Sequence, residues 1–352
     1  MRLLTKRQEE ILRAVVRRYT TTGQPVGSKG LVDQLPMKVS SATVRNEMAT
    51  LEKDGYLLKQ HSSSGRIPSK LGYRYYVDNL LDQHAVTSND LSVIQQSLGA
   101  EFHKIDEIIS QSADILSKLT SYTTFTIRPD QREQHLGGFR MVPLGNHQVM
   151  GILVTDSGDV ENQVFTIPAE INPETLEKVI RLINVQLKGL PLVEVMHRLQ
   201  TDIPLKMARY LNQPEGFLDL FDQVLNQAAR ERFFVGGRTN LLGFTQEATP
   251  QQMQAIYQLM DTDDQMAAIL DQPNQNSHDI QVRIGQEIAG DQMLDHYSLI
   301  TAKYNVEGYG QGLIAVLGPT RMSYSRTIGL VDAFRRELAK RLLDQYHHYH
   351  DS

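Results

Sequence analysis

One stretch of sequence decides how the N-terminal part of this chain is interpreted: SSATVRNEMATLEKDG, residues 40–55. Val44, Met48 and Leu51 recur at helical spacing, so they form one apolar stripe along a helix. Ser40 or Ser41 supplies a hydroxyl suited to cap the start of that helix, and the helix ends before Gly55. The opposite face carries small and polar side chains, which allow close approach of a partner.

Two helical segments are predicted before this stretch. Thr5 and Gln8 have the spacing of a capping box, and the first helix ends at Gly23-Gln24-Pro25. A second, short helix is predicted from Lys29 to Gln34, with Ser28 as its cap. Three helices with only a few residues between the second and the third are typical of a helix-turn-helix arrangement.

A β-hairpin is predicted directly after the third helix. Tyr56–Lys59 is predicted to be a strand, His61–Gly65 a loop and Arg66–Ser69 a short return strand. A hairpin in this place is typical of the wing of a winged helix, and an ordinary exposed loop is the alternative. Arg66 would lie at the hairpin tip, where we predict that it enters a narrow minor groove of enhanced negative potential.

The third helix carries side chains that are suited to double-stranded DNA. Asn can make two hydrogen bonds to adenine, Arg can make two to guanine, and alanine can meet a thymine methyl. We predict base contacts from Arg45 and Asn46, with Ala42 and Thr43 in support. Taken alone, the same helix could also present an ordinary solvated face. Phosphate contacts are predicted for the hydroxyls and lysines around it: Ser40, Ser41, Lys53 and Lys59.

Charge is distributed unevenly along the chain. Residues 1–83 hold 14 lysines and arginines against 8 acidic residues, a net of +6, whereas residues 84–352 hold 22 against 33, a net of −11. A basic head on an acidic body favours a polyanionic partner for the head, although small domains also fluctuate by a few charges. We call residues 1–83 the head.

Composition excludes several classes of protein. The 352-residue chain has no cysteine, which rules out disulfides and thiolate metal sites. Its longest clean apolar run, Leu313–Leu317, is far shorter than the ~20 residues that span a bilayer. We therefore expect a soluble, cytoplasmic protein with no membrane partner.

The acidic body shows a β-rich pattern that is interrupted by helices. A polar linker is predicted at residues 84–90, followed by a heptad seam from Leu98 through Phe102 to Leu119. That seam could pair with a second subunit or lie on the sheet of its own domain. Strand patterns before residue 156 resume after residue 280, with helical patterns between them, so one domain is predicted to be inserted in another.

Catalytic motifs are missing from the sequence. It contains no His-Glu-x-x-His and no Gly-x-Ser-x-Gly, so no catalytic residue, metal or cofactor is predicted and the protein is expected not to be an enzyme. Gly318–Tyr324 is interpreted as a turn before the last helix or, alternatively, as a ligand loop in which Arg321 meets an anion. An enzyme with a nucleic-acid-binding head and a ligand-gated regulator are the rival classes.

Several motifs in order along the chain resemble those of the bacterial heat-inducible transcription repressors of the HrcA family. They are Leu4-Thr5-Lys6-Arg7-Gln8, Gly27-Ser28-Lys29, Ser41-Ala42-Thr43-Val44-Arg45-Asn46-Glu47-Met48, Gly65-Arg66-Ile67-Pro68, Gly72-Tyr73-Arg74-Tyr75-Tyr76-Val77-Asp78, Thr239-Asn240-Leu241-Leu242 and Gly318-Pro319-Thr320-Arg321-Met322-Ser323-Tyr324. The resemblance spans nearly the whole chain.

The resemblance implies an α+β multidomain layout. A winged helix-turn-helix domain would occupy residues 1–83, a GAF-like domain residues 84–158 and 240–346, an inserted dimerisation domain residues 159–239, and a tail residues 347–352. It also implies a homodimer that represses chaperone genes by binding an inverted-repeat operator, the CIRCE element. Heat stress would release the repressor, and the GroEL chaperonin would modulate its activity.

Overall fold

The computed structural model of this chain has two compact units. The main unit combines residues 1–130 and 233–352, and the inserted unit comprises residues 131–232. The structure describes residues 3–59, 65–81, 86–99, 105–130, 135–156, 160–167, 173–210, 233–244, 279–290 and 294–350, together with single positions between 221 and 270. Helices and antiparallel sheets both contribute, which confirms the predicted mixed α+β class.

The head is built from helices followed by a hairpin. Its elements are α1 (Lys6–Thr22), two single 3₁₀ turns (Ser28–Gly30 and Val32–Gln34), α2 (Ser41–Lys53), β1 (Leu57–Lys59), β2 (Arg66–Pro68) and α3 (Lys70–Tyr75), which continues as a π-helical turn to Leu80. The predicted second helix is thus a pair of short 3₁₀ turns. The expected loop at residues 61–64 lies outside the described residues.

Local capping sets the ends of the two long helices of the head. The Thr5 hydroxyl accepts a hydrogen bond from the Gln8 backbone, and the Gln8 side chain accepts one from the Thr5 backbone, so the predicted capping box is present. Gly23 ends α1 with φ +66°, a left-handed conformation that favours glycine. Ser40 caps α2 by accepting from the Thr43 backbone at 3.1 Å. These helices therefore begin where the sequence predicts.

Two further helices lead into the first strand of the main sheet. They are α4 (Ser88–Leu98) and α5 (Ile105–Thr120), followed by β3 (Thr123–Asp130). The heptad seam predicted from Leu98 to Leu119 is not one continuous helix, because α4 ends at Leu98 and Gly99 follows as its C-cap. The α5 part of the seam packs on the sheet of its own unit, where the Ser112 hydroxyl lies 3.2 Å from that of Thr126.

The inserted unit has a three-stranded antiparallel sheet covered on one face by helices. Its elements are β4 (Leu136–Gly145), β5 (Gln148–Thr155), β6 (Val160–Thr166), α6 (Pro173–Leu187), α7 (Leu192–Gln200) and α8 (Ile203–Met207). Asn184 of α6 joins helix to sheet, because its amide accepts from the Phe139 backbone N–H at 2.8 Å and donates to the Phe139 carbonyl at 2.7 Å. The sequence analysis did not predict strand β6.

The main unit is completed by four strands and a long helix. They are β7 (Phe233–Gly236), β8 (Ile280–Ile284), β9 (Tyr297–Val306), β10 (Gly310–Pro319) and α9 (Tyr324–His350), with 3₁₀ segments at Arg238–Phe244 and Gly285–Glu287. The five-stranded antiparallel sheet has the order β7-β3-β10-β9-β8. Apolar residues are buried on both of its faces, one of them against α5 and α9.

The division of the chain differs from the expected boundaries. The compact inserted unit begins at residue 131 rather than 159, because β6 pairs with β5 along its length and therefore belongs with β4 and β5. The head does not separate from the body, since one apolar cluster runs from Ile11 and Leu12 through Tyr73 to Tyr324 and Phe334. Within the described residues, no helix combines the length and apolar character needed to cross a membrane.

Candidate nucleic-acid interface

Helix α2 is amphipathic in the way that its sequence predicts. Val44, Met48 and Leu51 are buried in the apolar core of the head. The opposite face is exposed along the helix, and it consists of Ala42, Arg45, Asn46, Ala49 and Lys53. This face combines two small residues with an amide and two cations, so a polyanion can approach it closely and find hydrogen-bond donors there.

The hydroxyls at the start of α2 are already engaged within the head. Ser40 is exposed, and its oxygen accepts from the Thr43 backbone at 3.1 Å and lies 2.9 Å from the Thr43 hydroxyl. Ser41 is partly buried, with its hydroxyl 3.2 Å from that of Ser28. A serine oxygen that accepts one hydrogen bond can still donate another, so both remain available to a phosphate oxygen.

The hairpin after α2 is attached to the loop before the first 3₁₀ turn. Lys59 pairs with Arg66 across the hairpin, and the Arg66 backbone exchanges two hydrogen bonds of 2.9 Å with Val26. Gly65 fits only because it lacks a side chain, since a Cβ there would come within 2.4 Å of the Val26 backbone. Lys59 itself is exposed.

Arg66 is not at the tip of the hairpin, and that expectation is corrected. It lies in β2, and its guanidinium Nε is 2.6 Å from Oε2 of Glu52 on α2. Its side chain is only 20% exposed. The contact joins the hairpin to the helix that carries the exposed polar face.

A second carboxylate of α2 is bound from α1. Oε1 of Glu47 lies 3.4 Å from the Arg7 guanidinium, and Oε2 accepts from the Gln8 amide at 3.2 Å. The sequence analysis missed both acidic residues of α2. Two acidic residues on an otherwise cationic helix were the available signal. An acid beside a site for a polyanion needs a cationic partner, so their presence indicates ion pairs to neighbouring elements.

Polar contacts hold the head against the main sheet. Lys70 pairs with Asp295 at 2.7 Å. Arg74 donates to the Val282 carbonyl at 2.7 Å and lies 3.2 Å from Glu287, which in turn accepts from the Ile284 backbone at 2.9 Å. The contacts of Arg74 and Glu287 satisfy backbone groups of the edge strand β8.

Arg321, the candidate anion contact of the Gly318–Tyr324 loop, faces the head. Its Nη1 lies 2.8 Å from the place that a Cβ on Gly23 would occupy, so the guanidinium packs at the C-terminus of α1. A cation is favourable there because the helix dipole is negative at that end. Within the described part of the chain, no group of histidines and acids has an arrangement that could hold a metal ion.

Comparisons with known proteins place the chain in a family. The model of the "HrcA protein C terminal domain" matches residues 106–328. The heat-inducible transcription repressor HrcA of Limosilactobacillus reuteri is 65% identical over 350 residues, covering 99% of this chain and 100% of the relative. The repressor of the same name from Enterococcus faecalis is 51% identical, with 98% and 99% covered.

A solved structure shares the fold. The crystal structure of a hypothetical protein at 2.2 Å resolution superposes with a TM-score of 0.62 at 21% identity, covering 97% of this chain and 100% of the other. The curated relatives are named as transcription repressors, which confirms the prediction of a regulator rather than an enzyme. On these matches, the chain belongs to the HrcA family of heat-inducible transcription repressors.

Proposed function

We propose that this chain represses transcription by binding double-stranded DNA at an inverted-repeat operator of the CIRCE type near chaperone genes. The observation that carries the proposal is the exposed face of α2, which presents Arg45, Asn46 and Lys53 on a head with net charge +6. Arg and Asn are the side chains suited to reading guanine and adenine in the major groove.

The head is best described as a winged helix-turn-helix. Helix α2 follows α1 and two short turns, and the β1–β2 hairpin comes directly after it. In such an arrangement the last helix of the motif enters the major groove. The small side chains of Ala42 and Ala49 on its exposed face let the helix backbone approach the base edges.

Each residue of the interface has a role in this proposal. Arg45 and Asn46 contact bases, with Ala42 and Thr43 beside them. Arg66 is left out of the groove contacts because its guanidinium is held by Glu52. The hydroxyls and lysines that flank the reading face contact phosphate: Ser40, Ser41, Lys53 and Lys59.

The five-stranded sheet supports the assignment of a GAF-like domain. It is antiparallel, and α5 and α9 cover one of its faces. No small ligand is proposed for this domain. The side chain that was the candidate for an anion, Arg321, is packed against Gly23 of the head.

The inserted unit supports assembly as a homodimer. One face of its sheet packs on α6, and the other face carries a row of apolar side chains across the strands, Val142, Met150 and Val164. Val142 and Val164 are 42% and 48% exposed. An apolar face of this kind fits a second copy of the same face, and a twofold dimer matches the symmetry of an inverted repeat.

The experiment is fluorescence anisotropy of the purified protein on a CIRCE-type duplex and on a scrambled duplex. It is done at ~150 mM salt, because affinity for nucleic acid depends steeply on salt. Binding to the repeat at least ~1,000-fold tighter than to the scramble is expected for a specific repressor. Equal, weak binding to both duplexes would leave only a basic patch and would contradict the proposal.

Heat release and modulation by GroEL are proposed from the family resemblance. Folding stability is a small difference between large terms, so modest heating can inactivate a repressor and a chaperonin can restore it. A repressor acts where the chromosome is, which places it in the bacterial cytoplasm. Operator binding is measured before and after heating, with and without GroEL. Full binding after heating without chaperonin would contradict this part.

A further inference from the structure

Helix α2 carries two carboxylates on the flanks of its exposed face, and an arginine from another element binds each of them. Glu52 is bound by Arg66 of the hairpin at 2.6 Å, and Glu47 by Arg7 of α1 at 3.4 Å. The first pair is the shorter, and its arginine is the better shielded, whereas Glu52 is 32% exposed and Glu47 22%. The Arg66 side chain is 20% exposed, whereas that of Arg7 is 50% exposed.

Arg66 is fixed at its backbone as well as at its side chain. Its N–H and C=O both bond to Val26, and it stands opposite Lys59 in the hairpin. A residue that is held in this way at both ends cannot turn its guanidinium outward without breaking the charge-assisted contact to Glu52. Through these contacts Arg66 joins three parts of the head: the Val26 loop, the hairpin and α2.

We propose that Arg66 is a positioning residue for DNA binding. By holding Glu52, it fixes the orientation of α2 relative to the hairpin, so that Arg45 and Asn46 meet the base edges in register. It contacts neither the minor groove nor a phosphate. This inference rests on the proposed function, because it assumes that α2 reads DNA.

The two possible roles of Arg66 predict opposite effects for one substitution. If Arg66 positions α2 through Glu52, then Glu52→Ala weakens operator binding. If Arg66 contacts DNA, then Glu52→Ala releases the guanidinium and removes a negative charge, so binding tightens. Glu47→Ala is the matched control: it removes the same charge from the same helix, but its contacts are to Arg7 and Gln8 of α1, and it leaves the contact between α2 and the hairpin intact.

The experiment measures operator and scrambled-duplex affinity for the wild type, Arg66→Ala, Glu52→Ala, the Arg66→Ala/Glu52→Ala double variant and Glu47→Ala, at several salt concentrations. The expected result is a loss of about 10-fold in operator affinity for each of the first two single variants, with no further loss in the double variant, since both break one contact. The salt dependence and the binding to scrambled DNA stay as in the wild type, because no phosphate contact is lost.

Three results would overturn the proposal. The first is tighter operator binding by Glu52→Ala. The second is a salt slope that falls by about one unit in Arg66→Ala, as a lost phosphate contact requires. The third is a parallel loss on both duplexes together with a lower thermal midpoint, which indicates damage to the fold alone. A wild-type protein that does not prefer the operator would instead refute the proposed function, so the two failures are distinguishable.

Discussion

The exposed face of α2 in the head and the outward face of the β4–β6 sheet in the inserted unit differ in their chemistry. The face of α2 is polar and cationic, with Arg45, Asn46 and Lys53 around two alanines. The sheet face is mostly apolar, with Val142 and Val164 exposed on either side of Met150, while Arg140 and Asn162 lie in the neighbouring row. The difference teaches which partner each surface suits: a polyanion for the helix, and another apolar face for the sheet.

The five-stranded sheet shows why the sheet face of the inserted unit is unusual. In β9 and β10 nearly every residue is buried, because both faces of that sheet are covered. An antiparallel sheet with one covered face normally alternates apolar and polar residues, with the polar ones outward. In the inserted unit the outward rows Val142–Met150–Val164 and Val154–Val160 are apolar and flank one mixed row, Arg140–Ile152–Asn162, so the outer face is less polar than solvent would favour.

The largest effect is expected from placing charge on the apolar sheet face. The double substitution Val142→Arg/Val164→Arg should convert the proposed dimer to monomers, because it buries two unpaired charges in the proposed interface. Operator affinity should fall by ~100-fold or more as the two half-sites are no longer bound together. Sedimentation velocity and anisotropy measure the two effects.

Val185→Arg is the matched control for that variant. Val185 lies in α6 of the same unit and is 72% exposed, but the helix packs on the opposite face of the sheet. The Val185→Arg variant should remain dimeric and bind the operator with wild-type affinity. If the double variant remains dimeric, the apolar sheet face is not the dimer interface.

The next effect concerns the base contacts of α2. Asn46→Ala should cost ~1–3 kcal/mol of operator binding and leave binding to scrambled DNA nearly unchanged, because a base contact carries sequence specificity. Competition anisotropy with single-base operator variants measures the loss. Thr50→Ala on the same helix is the control, since the Thr50 hydroxyl only donates to the Asn46 carbonyl, at 3.1 Å. Equal losses on both duplexes for Asn46→Ala would refute the base contact.

A smaller and less selective effect is expected at the end of α2. Lys53→Ala should weaken binding to all duplexes alike and lower the salt slope by about one unit, because it removes a proposed phosphate contact. Salt titrations of operator and scrambled DNA measure it. Lys118→Ala, an exposed lysine of α5, should leave both slopes as they are. A selective loss on the operator would show that Lys53 reads bases.

The sequence predicted the features that depend on neighbouring residues. The Thr5 capping box and the start of α2 after Ser40 are set by residues a few positions apart, and both are present. The Arg66–Glu52 contact depends on how the hairpin folds back onto α2. Arg7 and Glu47 are 40 positions apart and meet only through the packing of α1 on α2.

The inserted unit was predicted less well for a related reason. The sequence analysis did not include β6, so the cross-strand row that gives the sheet its apolar outer face was missed. The seam from Leu98 to Leu119 kept its heptad spacing across Gly99, where the backbone leaves the helix. Periodicity records which side chains face inward but does not locate the break, because glycine weakens a helix by only ~1 kcal/mol.

The smallest effect is expected on folding stability alone, at a residue that belongs to neither the face of α2 nor the sheet face of the inserted unit. Hydrogen bonds from the Thr87 backbone and hydroxyl, and the nearby Arg326, lower the pKa of Asp90, which ties α4 to α9. Because the folded-state pKa is the lower one, this stabilisation is complete above the unfolded-state pKa of ~3.9 and is lost as pH falls through the folded-state value. Asp90→Asn should therefore lower the free energy of unfolding at pH 7 and flatten its decline below about pH 4, as measured by urea unfolding. Operator affinity and dimerisation at pH 7 should not change, since Asp90 belongs to neither surface. An unfolding profile with the same acid dependence as the wild type would show that this carboxylate does not stabilise the fold.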